Sequence, residues 1–329
     1  MDTKIKVIYT GGTIGMIKSE AGSYIPSSID YLLSFVPSID KIGVNLTFES
    51  FEKPLDSAFI GSKEWLQIAG VIVADLDDFD GFVVLHGTDT LAYTSSALSF
   101  LLKGVSKPIV LTGAQIPISE KGTDGIKNFT NAIKVAKDGL VNEVSLCFYK
   151  NLFSGACVTK TDSISLDGFT SPNHPILAKL GNEIEYTEIS KKSGDCGSIF
   201  EKINDSVFYL SISPVFNSSS IIEFLDHDSI KGIVLSVFGS GTLPIKVDDP
   251  LYNKLSEMKI PILVVSECLK GGVEIGKYEA GTVLRELNVI SGGKMTKEAA
   301  ITKLMIGLAN FNSEKDIRKY LTENQVGEL

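Results

Sequence analysis

Apolar residues in the first half of the chain come in short blocks separated by longer, mixed stretches. Lys6–Tyr9, Val44–Glu49, Phe82–His86, Pro108–Leu111 and Glu143–Phe148 are β-branched or aliphatic runs of strand length. Ile29–Phe35, Lys63–Leu76, Leu91–Leu102 and Gly125–Ala136 lie between them and read as helices. In the third of these, Leu91, Leu98, Leu101 and Leu102 fall on one face, and Asp89 or Thr90 stands where a cap belongs. In the fourth, Ile126, Phe129, Ile133 and Ala136 repeat the pattern. Strands alternating with helices predict βαβ units and a largely parallel sheet.

The pattern breaks near Gly181. Tyr186–Asp205 is polar, contains glycine and shows no period, so it reads as a linker. Alternation resumes with strands Val207–Ile212, Gly232–Val237 and Ile262–Val265, and with helices Ile221–Leu225, Leu251–Met258 and Ala299–Ala309. Asn312–Asp316 opens a last helix that reaches about Leu321. The expectation is an α/β protein: a larger N-terminal, mostly parallel sheet domain over residues 1–187, a linker at 188–206, and a smaller C-terminal α/β domain over 207–329.

Composition narrows the function classes. Hydrophobic content of 43% and charged content of 22% suit a soluble globular protein with sizeable cores. A net charge of −9 without a basic run argues against nucleic-acid binding, which depends on neutralising phosphates. No stretch approaches the ~18–20 apolar residues that cross a bilayer, and MDTKIKVIYT has too few for a secretion signal. Cys147, Cys157, Cys196 and Cys268 are scattered with no C-x-x-C pair, so neither a zinc site nor a redox pair is expected, and a reducing, cytoplasmic compartment is.

Two loops follow apolar runs and carry hydroxyls: Thr10-Gly-Gly-Thr13, and His86-Gly-Thr88-Asp89-Thr90. In an open parallel sheet both would leave the carboxyl edge, where ligands bind. The first loop is no nucleotide loop. Its glycines are spaced G-G-x-x-G, Glu49 comes too late for a ribose partner, and in SGGKMT Met295 stands where a phosphate loop has a hydroxyl. A threonine on a glycine turn exposes its side chain, and as a nucleophile it needs a base nearby. His86 is a candidate base, or a buried hydrogen-bonded residue at a strand end. Lys160, among hydroxyls in GACVTKTDS, is a second candidate, or an exposed loop lysine. Asp89 is a charged member of the crevice or simply a helix cap. The residues alone give a hydroxyl-lined crevice with some charge.

Taken together, YTGGTIGM, GSYIPSS, PLDSAFI, LHGTDTLAYTSSALSFLL, KPIVLTGAQIPI and TKTDSISLDGFTSPNHPIL resemble the type I (cytosolic) L-asparaginase family. The resemblance extends to GGKMTKEAAITKLMIGL and so spans nearly the whole chain. It implies hydrolysis of L-asparagine to L-aspartate and ammonia through an acyl-enzyme, with Thr13 as nucleophile and no metal or organic cofactor. Tyr24 matches a tyrosine on a mobile lid that hydrogen-bonds the nucleophile. Thr88, Asp89 and Lys160 match a second constellation in which the charged pair polarises the threonine. Gly12, Asp56, Ser57, Gly87, Thr88, Asp89 and Ala114 match substrate-binding positions, with Asp89 on the α-ammonium and the Ala114 carbonyl on the leaving amide nitrogen.

The resemblance also implies a homo-oligomer, a dimer or a tetramer of intimate dimers. Tyr278 and Glu279 in GKYEAG match only loosely the groups a neighbouring subunit supplies, and the preferred reading of both is as ordinary polar residues of the surface. In one respect the chain departs from the family. Cys268 matches a residue of a regulatory asparagine site, but the partner arginine position holds Ser236, which lacks a bidentate grip on a carboxylate. Activation by asparagine is therefore not expected. Two other readings are weighed. An amidotransferase subunit for transfer-RNA charging would carry an additional amino-terminal domain, for which the early first strand leaves no room, and would suit a less acidic chain. A non-catalytic amino-acid sensor would not need two activated threonines.

Overall fold

The computed structural model describes residues 3–36, 39–187, 199–276 and 282–329. The chain divides into two compact units, Met1–Glu201 and Lys202–Leu329. The segment read as a linker falls partly outside the described residues, at 188–198, as do Cys196, Tyr278 and Glu279.

In the first unit the apolar blocks become strands in a single sheet. In chain order the elements are β1 (Lys4–Gly11), β2 (Met16–Lys18), β3 (Tyr24–Pro26), α1 (Ile29–Leu33), β4 (Asn45–Leu55), α2 (Ser62–Ala74), β5 (Gly81–Leu85), α3 (Leu91–Leu101), β6 (Ile109–Thr112), α4 (Gly125–Asp138) and β7 (Val144–Phe148). Five of these strands run parallel, in the spatial order β4-β1-β5-β6-β7. After β4 the chain crosses back over β1 to enter β5, so strand order reverses beside β1 and opens a crevice at its carboxyl end.

The sheet then continues antiparallel through β8 (Asn151–Ser154), β11 (Ala178–Leu180) and β12 (Ile184–Tyr186), while β9 (Thr159–Lys160) and β10 (Phe169–Thr170) form a separate short hairpin. The hydrophobic pattern does not predict these strands: each is two to four residues long, too short for an alternation to register.

The helices bury the faces their spacing marks, with one difference. In α4 the side chains of Phe129, Ala132, Ile133 and Ala136 pack against Ile5, Val7, Val83 and Val110 of the sheet. In α3 the apolar stripe is buried as expected, but so are Thr94, Ser95, Ser96 and Ser99. These hydroxyls have partners: Ser95 donates to Gly155 O at 2.8 Å, Ser99 to Ser95 O at 2.7 Å, and Thr94 meets Trp65 and His86.

The second unit is a four-stranded parallel sheet, β13 (Val207–Ser211), β14 (Gly232–Val237), β15 (Ile262–Ser266) and β16 (Ile290–Ser291), in that order. Helices α5 (Ser218–Leu225), α6 (Pro250–Glu257), α7 (Thr282–Glu286), α8 (Lys297–Asn310) and α9 (Glu314–Thr322) complete it. Side-chain caps start four of them: Asn217 for α5, Asp249 followed by Pro250 for α6, Thr296 for α8 and Ser313 for α9. A fully buried ion pair pins the segment after α9. Lys303 Nζ lies 2.5 Å from Glu328 Oε1 and also donates to Leu321 O and Glu323 O. Burial penalises the Glu328 charge, but Lys303 and the amides of Val326 and Gln325 outweigh it and hold the carboxyl below its ordinary value. Ser236 is buried on β14 and Cys268 is exposed.

Candidate active site

The crevice beside β1 is built by glycine. At Gly12 the chain adopts φ +85°, a conformation that favours glycine. A methyl group there would lie 2.2 Å from Gly87 N and 2.3 Å from Gly87 Cα, so the loops after β1 and β5 touch backbone to backbone. A methyl on Gly87 would in turn fall 2.6 Å from Ser57 Oγ. Three loops therefore converge, with no side chain at Gly12 or Gly87 to hold them apart and Ser57 packed against Gly87. Thr13 and Thr88 each stand one residue beyond this contact.

Thr13 opens a single 3-10 turn, Thr13–Gly15, and its side chain is half-buried. Beneath the turn Tyr9 is fully buried and donates its hydroxyl to Ser27 O at 2.9 Å, which anchors the return strand of the β2–β3 hairpin. Tyr24 lies on that hairpin. Its hydroxyl donates to Glu120 Oε1 at 3.2 Å, with Lys18 Nζ 3.5 Å from the same oxygen and 5.5 Å from the Tyr24 ring. The expected contact between Tyr24 and Thr13 is thus not made in this arrangement. The side chain is 43% exposed, and its hydroxyl hydrogen bond goes to the Glu120 carboxylate instead.

Thr88, Asp89 and Lys160 do meet. Lys160 Nζ donates to Thr88 Oγ1 at 2.9 Å and to Asp89 Oδ1 at 2.7 Å. Sequence spacing left Lys160 between crevice and open loop; pairing of β9 with β10 brings it in, and its side chain is only 16% exposed. Asp89 is not a helix cap. Thr90 holds the cap position of α3 without a side-chain cap, and its hydroxyl donates to Ser57 O at 2.7 Å. Among the described residues, the N–H groups of Thr13 and Thr88 reach no protein acceptor, so two backbone donors remain for a ligand.

The remaining sequence-predicted residues ring the same strand ends. Asp56 caps the turn after β4 and accepts from Ala58 N–H at 3.0 Å; Ser57 next to it is buried. Ala114 is fully buried just after β6. The loop beyond it is tied to the buried Asp124 carboxylate, which accepts from Gln115 N–H and Ile116 N–H, each at 3.1 Å. Pattern reading missed Gln115. Its Oε1 accepts from Thr88 Oγ1 at 3.1 Å, and its Nε2 donates to Ser165 O at 3.0 Å. Its only sequence signal is its place beside Ala114 in TGAQIP.

His86 is no base for this crevice. It is buried behind the Thr88 loop, with Nδ1 2.7 Å from Gly87 O and Nε2 2.9 Å from Thr94 Oγ1. Burial lowers its pKa to about 4, against the lesser opposing pull of the Gly87 carbonyl, so the ring is neutral near pH 7.

Residues 4–192 match the family model described as asparaginase, N-terminal, and residues 206–321 match that of the glutaminase/asparaginase C-terminal domain. The chain belongs to the asparaginase family. Within it the similarity is to type I members. L-asparaginase 1 of Escherichia coli is 37% identical over 331 residues, covering 99% of this chain and 97% of that protein. The solved structure of the thermostable L-asparaginase from Thermococcus kodakarensis superposes with a TM-score of 0.91 at 32% identity over 99% of both chains. That of L-asparaginase I from Vibrio cholerae gives 0.90 at 32% identity, over 100% of this chain and 99% of the other. Among the described residues of this asparaginase-family chain, no helix is long and apolar enough to cross a membrane, and no cluster of His, Cys, Asp and Glu is placed to hold a metal ion.

Proposed function

We propose that this protein hydrolyses L-asparagine to L-aspartate and ammonia through a covalent threonine intermediate, in the cytoplasm and as a homo-oligomer. Thr13 Oγ attacks the side-chain amide carbon, and the carbonyl oxygen becomes an oxyanion held by the N–H groups of Thr13 and Thr88. Collapse breaks the C–N bond, and the departing nitrogen takes up the hydroxyl proton and leaves as ammonia past the Ala114 carbonyl. Water then cleaves the Thr13 ester to release aspartate. In this reading Thr88, polarised by Lys160 and Asp89, manages the water step. Asp89 also meets the α-ammonium, and Asp56 and Ser57 hold the amino-acid head with Gly12 and Gly87 lining the floor. The β2–β3 hairpin closes to exchange the Tyr24–Glu120 bond for one to Thr13. Each step uses groups of the chain, the substrate and water only, so the proposal includes no cofactor and no metal.

What carries the reading is the Lys160 ammonium bonded to both Thr88 and Asp89 beside the Gly12–Gly87 contact, in a chain of the asparaginase family. The test is Thr13→Ala. Ammonia release from asparagine should drop by roughly a thousandfold or more while the variant stays folded. Wild-type-like turnover in a folded Thr13→Ala protein refutes the assignment.

A further inference from the structure

Gly87 is a weak point for any site that relies on the N–H of Thr88. A glycine peptide turns easily, and only a fixed carbonyl keeps the following N–H aimed. The fixing contact comes from His86, whose Nδ1 lies 2.7 Å from Gly87 O. Its direction of donation follows from the partners. Trp65 Nε1, which can only donate, sits 2.9 Å from Thr94 Oγ1, so Thr94 accepts there. A hydroxyl has two lone pairs, so Thr94 is still able either to donate its one proton to His86 Nε2, 2.9 Å away, or to accept from it, and the other ring nitrogen decides between these. The ring proton resides on Nδ1 and points at Gly87 O, which can only accept. The other tautomer would set two lone pairs face to face at 2.7 Å and leave the Thr94 proton without this partner. Trp65, Thr94 and His86 are all buried.

We infer that Trp65, Thr94 and His86 form a positioning chain that locks the Gly87–Thr88 peptide and thereby aims the Thr88 N–H at the reacting carbonyl oxygen. No cis peptide bond occurs among the described residues, and in a trans peptide the carbonyl and the next N–H point in opposite directions. A carbonyl gripped from the buried side leaves the Thr88 N–H facing away from the ring, and this N–H reaches no protein acceptor among the described residues. His86 touches no reacting atom; both of its nitrogens are occupied. Gly87 O, which can only accept, fixes the His86 tautomer; Thr94, which accepts from Trp65, donates to Nε2 and steadies the ring, and His86 holds the peptide. The inference rests on the reading of the crevice as an amide-hydrolysing site.

Two amide replacements separate this role from a purely structural one. Asparagine sets its NH2 near the Nδ1 position, whereas glutamine sets its NH2 near Nε2. His86→Gln should lower kcat by roughly tenfold to a hundredfold, less than full loss of an oxyanion donor, with KM changed by under about threefold. His86→Asn should recover kcat to within about fivefold. Thr94→Val should fall as His86→Gln does, and Thr94→Ser should restore activity. Trp65 is the single tryptophan of the chain, so its fluorescence reports whether each variant is folded. Equal kcat losses in His86→Asn and His86→Gln, or none in either, would overturn the positioning role. If the variants do not fold, the imidazole 15N spectrum of the wild-type protein decides: protonation at Nδ1 supports the chain and protonation at Nε2 sinks it. An active Thr13→Ala protein would reject the site reading itself. A silent Thr13→Ala with a fully active His86→Gln would reject only the positioning chain.

Discussion

His86 carries a prediction of its own, because its burial ties protonation to folding. In the unfolded chain its pKa is near the ordinary 6.5, while in the folded protein it is lowered to about 4. Between these values the unfolded state binds the extra proton. The His86 contribution to stability is therefore fully present above the unfolded pKa and lost as pH falls through the folded one. The shift corresponds to about 3 kcal/mol. Urea unfolding at intervals from about pH 7 to about pH 4 should show wild type losing that much more stability than His86→Asn; parallel curves would refute the linkage. The spacing of HGTDT could not choose between base and buried strut, because Trp65 and Thr94 reach the ring only through the fold. Lys160 was ambiguous for the same reason: its partners are 71 and 72 residues away.

At the scale of elements, the convergence of three loops depends on the missing side chains at Gly12 and Gly87. Gly12→Ala both forces a side chain into φ +85° and drives it into the Gly87 backbone. The expected outcome is a loss of roughly a hundredfold in kcat, since the reacting groups move apart, together with a stability loss of about 1–3 kcal/mol. Gly139, the cap after α4, is the matched control: it has φ +61° with nothing within 4 Å. Gly139→Ala should lose only about 1 kcal/mol and keep its kcat. Thermal unfolding and asparagine kinetics on the two proteins check this, and a similar kcat for both would contradict it. The parallel strands other than the two-residue β16, and most helices, were legible because their apolar blocks match the period of the element. The β8 to β12 extension was not, being too short to show one. In α3 the apolar stripe was legible, but burial of its serines was not, since that depends on carbonyls supplied elsewhere in the fold.

For the whole molecule, the proposed oligomer and the absence of regulation by asparagine make one joint prediction. With Ser236 where a regulatory arginine would sit, the rate should rise hyperbolically with asparagine, on a species that sediments as a dimer or tetramer. A sigmoidal curve or a monomer would each contradict its half of the statement. The same titration run with glutamine would measure the preference between two substrates that differ by one methylene, a difference of about 1–3 kcal/mol in a fitted pocket. One feature of the sheet bears on how such a protein turns over. β1 is hydrogen-bonded by parallel neighbours on both sides and buried from Ile5 to Gly11, whereas the β2–β3 hairpin after it consists of two three-residue strands in which only Met16 is buried. Opening free energies should therefore differ over a few residues, with the hairpin expected to detach through local fluctuations and β1 to be released only with its sheet. The threonine proposed as nucleophile thus follows directly on a buried, doubly paired strand, and under that proposal the hairpin beside it can swing without loosening this mooring.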